Sequence, residues 1–259
     1  MRLQLVPSRL GLQWVKAGMR TFFRQPLALS GLFFMFLAVV SVISMVPVVG
    51  NVLSLALLPA ATLGLMAATR EADDGKFPMP LVLLSGFRAG HQRLRAMLVL
   101  GALYALGFVA VLGFSALIDG GKCARLYLFG GAITTEMLQE GDFQVAVLVV
   151  SALYMPLSLL FWHAPALVHW HGVAPVKSLF FSFVACLRNM GAYMVFGLAW
   201  MAVFMVFGMM MATLAVLLGS AETVVAMLYP AVMLVLAMFF TSLYFTFRDS
   251  FETTSGDDV

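Results

Sequence analysis

The stretch Leu27-Ala-Leu-Ser-Gly-Leu-Phe-Phe-Met-Phe-Leu-Ala-Val-Val-Ser-Val-Ile-Ser-Met-Val-Pro47-Val-Val-Gly50-Asn51 decides the fold. It carries no charged side chain, and it closes on Pro47, Gly50 and Asn51, which suit a tight reversal. A helix needs roughly 20 apolar residues to cross about 30 Å of hydrocarbon. The stretch therefore reads as one membrane span, and the apolar run after it as the return. The same pattern recurs outward along the chain. Spans are expected at about 27–49, 51–69, 96–118, 144–168, 190–218 and 223–247, none with an Asp, Glu, Lys or Arg. One such residue at a helix centre would cost roughly 2.5–3.5 kcal/mol. Gly219-Ser220-Ala221-Glu222 supplies the turn between the last two spans.

Composition points the same way. Hydrophobic residues make up 63% of the chain, charged residues 10%, and the mean hydropathy is +1.01. Soluble domains hold about 45–50% apolar and about 25% charged residues. A water-soluble fold could not hide this much apolar surface. The expected class is an all-α polytopic membrane helix bundle, one domain over 1–259 with a short disordered tail at 250–259. The first apolar run follows a long basic segment without a small-residue cleavage site, so no signal peptide is expected. A net charge of +3 implies no nucleic acid, because the basic residues flank the spans.

Of the 15 Lys and Arg, all but Lys122 and Arg125 fall on one side of this topology. That asymmetry predicts cytoplasmic N- and C-termini. It also places Cys123 outside and Cys186 inside, too far apart for a disulfide.

The six spans group as three hairpins, each preceded by an interfacial amphipathic helix on the cytoplasmic side. In the first, Arg9, Gln13, Lys16, Arg20 and Arg24 recur every three to four residues. Trp14, Val15, Met19, Phe22 and Phe23 fill the opposite face, as in a helix lying among headgroups. The second runs from Pro80 through Arg88, Arg93 and Arg95. The third starts at Pro175 and carries Ser178, Ser182 and Asn189 on its polar side. Each second span holds proline: Pro59, Pro156 with Pro165, and Pro230. Internal repetition would produce these marks, and so would any multispan chain that alternates basic, apolar and proline residues.

Ala56, Ala60, Gly64 and Ala68 recur every four residues, a stripe that lets helix backbones approach closely in lipid. Gly101, Gly107, Ala110 and Gly113 of the third span are its candidate partners. Met205, Met209, Met210 and Met211 read as apolar filler rather than metal ligands.

Catalytic chemistry is not evident. Intramembrane metalloproteases need a His-Glu-x-x-His helix and aspartyl types need paired carboxylates. Neither pattern exists here. His163, His169, His171 and His91 have no Cys or acid at ligand spacing, so no metal and no cofactor are expected. Ion-coupled transporters usually hide an ionisable residue at depth. The outer loop, 119–143, is bracketed by Gly120-Gly121 and Gly130-Gly131 and holds Tyr127, Leu128 and Phe129.

Two stretches carry a family resemblance. One runs from Phe22-Phe-Arg-Gln-Pro-Leu-Ala-Leu through Leu57-Leu-Pro-Ala-Ala-Thr-Leu-Gly-Leu-Met. The other runs from His163-Ala-Pro-Ala-Leu-Val-His-Trp-His-Gly through Ser182-Phe-Val-Ala-Cys-Leu-Arg-Asn189. Together they resemble uncharacterised six-span inner-membrane proteins of Gram-negative bacteria. The layout is similar to the membrane domain of some glycerophosphodiester phosphodiesterases. The resemblance implies a bacterial inner-membrane address and carries over no catalytic residue.

The expected function is that of a non-enzymatic membrane protein that organises or handles lipids or partner membrane proteins. The expected anionic-lipid contacts are Arg20, Arg24, Arg93, Arg95, Lys177 and Arg188, placed where the cytoplasmic interface meets the spans. A facilitator or permease for a small solute is the alternative, motivated by the proline-broken spans.

Overall fold

With no water in hydrocarbon, an apolar segment must satisfy its own backbone groups, and a helix does so within itself. The computed structural model describes residues 2–218 and 221–252. Its elements are β1 (Arg2–Leu3), α1 (Leu10–Arg24), α2 (Pro26–Ser44), α3 (Val49–Asp73), α4 (Ser85–Arg88), α5 (His91–Asp119), α6 (Lys122–Phe129) and α7 (Thr135–Gln139). They continue with α8 (Gly141–Phe161), α9 (Ala164–His171), α10 (Pro175–Arg188), α11 (Met190–Leu218), α12 (Ala221–Ser250) and β2 (Phe251–Glu252). A 3₁₀ segment, Pro80–Leu84, precedes α4. Among the described residues six helical stretches are long and apolar enough to cross a membrane: α2, α3, α5, α8 continuing into α9, α11 and α12. This is the all-α bundle that the hydropathy pattern implies. The turn expected at Gly219-Ser220 lies outside the described residues.

The chain forms two compact units. The first draws on the described residues of Met1–Phe33, Leu65–Val82 and Ala185–Val259. Here α1 packs against α11 and α12. Glycine makes the approach possible. A Cβ on Gly11 would fall on the Ala192 carbonyl oxygen, and one on Gly18 would meet the Ser242 backbone 2.7 Å away. Trp14 is 1% exposed. Its ring lies 5.3 Å from Tyr193 and 6.1 Å from Phe196, and its indole N–H donates to Asp249 at 3.0 Å. So Trp14, Val15 and Phe22 are covered by protein rather than headgroups, while Phe23 stays exposed.

The first and last described segments pair in this unit. β1 and β2 pair antiparallel, with Arg2 opposite Glu252 and Leu3 opposite Phe251. The Asn189 side chain accepts the Val6 N–H at 3.0 Å and donates to the Gln4 carbonyl at 2.9 Å. Residues 250–252, expected to open a disordered tail, belong instead to α12 and β2. Ser250 closes α12, and Phe251 is buried with its ring 5.3 Å from Phe247. Residues 253–259 lie outside the described residues.

The second unit comprises Phe34–Gly64 and Leu83–Val184, with α5 packed along α8. Three sequence expectations need correction here. First, Gly50 and Asn51 do not form the reversal. α2 stops at Ser44, and Val48 takes the left-handed conformation (φ 63°), uncommon for a β-branched residue. Gly50 already belongs to α3 and leaves room for the Ile43 carbonyl, while the Asn51 amide donates to the Leu128 carbonyl at 2.8 Å.

Second, the interfacial helix expected from Pro80 to Arg95 is only the 3₁₀ segment and the single turn α4. Gly90 (φ 94°) ends it, and α5 begins at His91, so Arg93 and Arg95 ride on the spanning helix.

Third, the polar side of α10 faces inward. Ser178 and Ser182 are buried, while Val176, Phe180 and Phe181 are exposed. The reason is a break between α8 and α9, where Pro165 cannot donate a backbone hydrogen bond. The Ser182 hydroxyl donates to the Leu159 carbonyl at 2.7 Å and accepts the His163 N–H at 2.9 Å. Two backbone groups freed by the break are thereby satisfied.

Candidate functional site

The six cationic residues expected to contact lipid divide between the units. Arg20, Arg24 and Arg188 belong to the first, and Arg93, Arg95 and Lys177 to the second. All six are exposed. Arg24 lies 3.9 Å from Asp73, which also accepts from Arg248 at 3.3 Å and from the Thr21 hydroxyl at 3.3 Å. The other five form no ion pair among the described residues. Asp73 thus occupies Arg24 and leaves Arg20 and Arg188 open to an external anion. Ion pairs this exposed contribute about 0–1 kcal/mol, so the Asp73 cluster orients α1 more than it stabilises the unit.

In the second unit, Arg93 and Arg95 line a cavity of about 450 Å³. Val99 and Val168 also line it, as does the turn at Gly172 (φ 63°). A left-handed glycine here ends α9 and turns the chain toward α10. Lys177 does not line this cavity.

The small-residue stripe lands on two kinds of partner. Ala56 meets span α5, where a Cβ on Gly101 would fall on the Ala56 carbonyl oxygen. Gly64 faces the 3₁₀ segment instead, with the Leu83 backbone 2.7 Å from where its Cβ would be. Ala60 and Ala68 are buried. Gly107 lies against Leu157 of α8, Ala110 is exposed, and Gly113 has nothing within 4 Å. Among the described residues no three His, Cys, Asp or Glu side chains converge as metal ligands.

A probable inner membrane protein of Burkholderia thailandensis is 42% identical to the chain over 203 residues, 77% of this chain and 75% of that protein. The chain belongs to this inner-membrane protein family. No family model matches it, and no solved structure matches it. The likeness in layout to the membrane domain of glycerophosphodiester phosphodiesterases gains no support from either.

In this inner-membrane protein a second cavity, of about 480 Å³, opens beside α6, where Lys122 and Arg125 accompany Leu126 and Phe129. Lys122 pairs with Glu140. Asp119 accepts the Gly121 N–H at 2.8 Å and the Cys123 N–H at 2.7 Å, and so starts α6.

That carboxylate affects how Cys123, the cysteine expected outside, reacts with a maleimide. Burial, and then Asp119, pushes the Cys123 thiol up from its usual 9.0 to about 11. Only the thiolate attacks a maleimide. Two units less thiolate should slow labelling near neutral pH about a hundredfold relative to an ordinary thiol. Labelling should accelerate as pH rises toward 11. Cys186 is 2% exposed, and burial pushes its thiol to about 12. It would resist labelling from either side. Exposed cysteines introduced at Lys16 and Arg125, in a chain without the native two, discriminate sides. With an impermeant maleimide on spheroplasts, Arg125→Cys should label and Lys16→Cys should not. The reverse result would invert the orientation.

The sequence reading missed Asp73, Trp14 with Asp249, and Ser182 as a backbone clip. Ser178 and Ser182 did stand out as one helical face. In a chain this apolar, the rule that small polar residues meet other helices would have turned that face inward.

Proposed function

We propose that the protein is a non-catalytic inner-membrane component that holds anionic phospholipid at a cytoplasmic collar of arginines and, through that lipid, partner membrane proteins. One observation carries this reading. Arg20 of α1, Arg93 and Arg95 at the start of α5, and Lys177 and Arg188 of α10 are exposed and form no ion pair among the described residues. The sidedness of Lys and Arg supports a cytoplasmic face for them. Each such charge contributes about 1 kcal/mol near an anionic leaflet. A guanidinium also holds phosphate with two parallel hydrogen bonds, which an ammonium does not.

Topology requires only charge, whereas phosphate gripping requires the guanidinium fork. The test replaces Arg20, Arg93 and Arg188 together by Lys. Arg24 is left alone because Asp73 already occupies it. Native mass spectrometry then compares co-purifying phosphatidylglycerol and cardiolipin. The triple variant should insert normally and retain several-fold less of both lipids. Retention equal to wild type would reduce the arginines to topology signals and overturn the lipid reading.

A further inference from the structure

The cavity at the start of α5 is chemically graded. Along α5 its lining runs from Gln92, Arg93 and Arg95 at the helix start to Val99, and Val168 of α9 also touches it. Gln92, Arg95 and Val99 are three to four residues apart, so they share a face of α5. At 1.5 Å per residue, Val99 lies about 9 Å farther along the helix than Arg93. Neither arginine has an acidic partner among the described residues. The rim at Gly172 is open, since a Cβ there would meet nothing within 4 Å. A phospholipid has the same grading: an anionic phosphate, then glycerol, then hydrocarbon. A free phosphate would use the arginines and leave Val99 bare. A zwitterionic headgroup would bring its own cation toward two guanidinium groups, which repel it.

We propose that this cavity is a specific site for an anionic phospholipid, with the phosphate on Arg93 and Arg95 and the first part of an acyl chain against Val99. The proposal rests on the lipid reading above and narrows it to one site in one unit.

The test uses the full chain in micelles containing equal phosphatidylglycerol and phosphatidylcholine, read by native mass spectrometry. The variant R93Q/R95Q should retain roughly thirtyfold less phosphatidylglycerol than wild type. The variant R20Q/R188Q, which loses the same charge in the other unit, should lose only the few-fold share expected of exposed collar residues. Val99→Trp keeps both arginines and fills the apolar part, so it should also lower retention. Val99 is itself 47% exposed, and unchanged melting in detergent checks the folding of the variant. Equal loss in the two Gln pairs would overturn the specific site and leave the collar standing. No loss in either pair would overturn both. Full retention by Val99→Trp, or displacement of the lipid by millimolar inorganic phosphate, would show a site that reads phosphate alone and would overturn the proposal.

Discussion

Gly101→Leu should lower the melting temperature in detergent more than any other single glycine substitution in the α3–α5 contact. A Cβ at this position falls on the carbonyl oxygen of Ala56, a backbone atom that no rotamer change removes. The helices would have to part, and with them the neighbouring contacts of Ala60, Leu100 and Tyr104, all buried. Overpacking typically costs about 1–3 kcal/mol, and a clash with backbone belongs at or above the upper end. Even Gly101→Ala should destabilise, although alanine is worth about 1 kcal/mol over glycine in a helix interior. Gly197→Leu is the control. Nothing lies within 4 Å of its Cβ position, so the new side chain should meet no protein and leave stability unchanged. Gly64→Leu should also destabilise, because Leu83 backbone lies 2.7 Å away. If Gly101→Leu melts with Gly197→Leu, the two backbones are not in contact at that level.

The second large effect is expected at Ser182. Its hydroxyl serves the Leu159 carbonyl and the His163 N–H where α8 gives way to α9. Each buried group left unsatisfied costs about 1–3 kcal/mol, and hydrocarbon supplies no water as a substitute. Ser182→Val fills the volume and removes both bonds, so its loss should be the larger. Ser182→Ala should fall slightly less, and Ser182→Thr, which keeps a hydroxyl, should stay near wild type. Hydrogen exchange gives an independent reading, because the His163 amide should exchange faster in the Ala and Val variants. Unchanged protection of that amide in Ser182→Ala would mean that the break is held by other groups.

These two sites show where reading the chain alone succeeds and where it stops. Charge-free runs long enough to span hydrocarbon identify the six helices, because insertion cost depends on residues one at a time. The spacing of Ala56, Ala60, Gly64 and Ala68 likewise marks a face from which a neighbour could be approached. Its partners were not legible. Ala56 meets a span at Gly101, but Gly64 meets the backbone of the 3₁₀ segment, which no periodicity announces. The same limit applies to the collar. Its residues are recognisable as basic positions beside spans, yet Arg24 and Arg20 look alike until Asp73 is seen beside only one of them.

By itself, then, the sequence determined the solvent, the spanning helices, and which residues share a helix face. Tertiary structure decided what each face meets. The Ser178–Ser182 side of α10 reads as the wet side by periodicity, yet it turns inward to satisfy a broken backbone while Phe180 and Phe181 turn out. The physical reason is that periodicity is a property of one helix, whereas an unsatisfied carbonyl on another helix exists only after folding. That carbonyl draws the hydroxyl inward, and the phenylalanines take the exposed side of the helix.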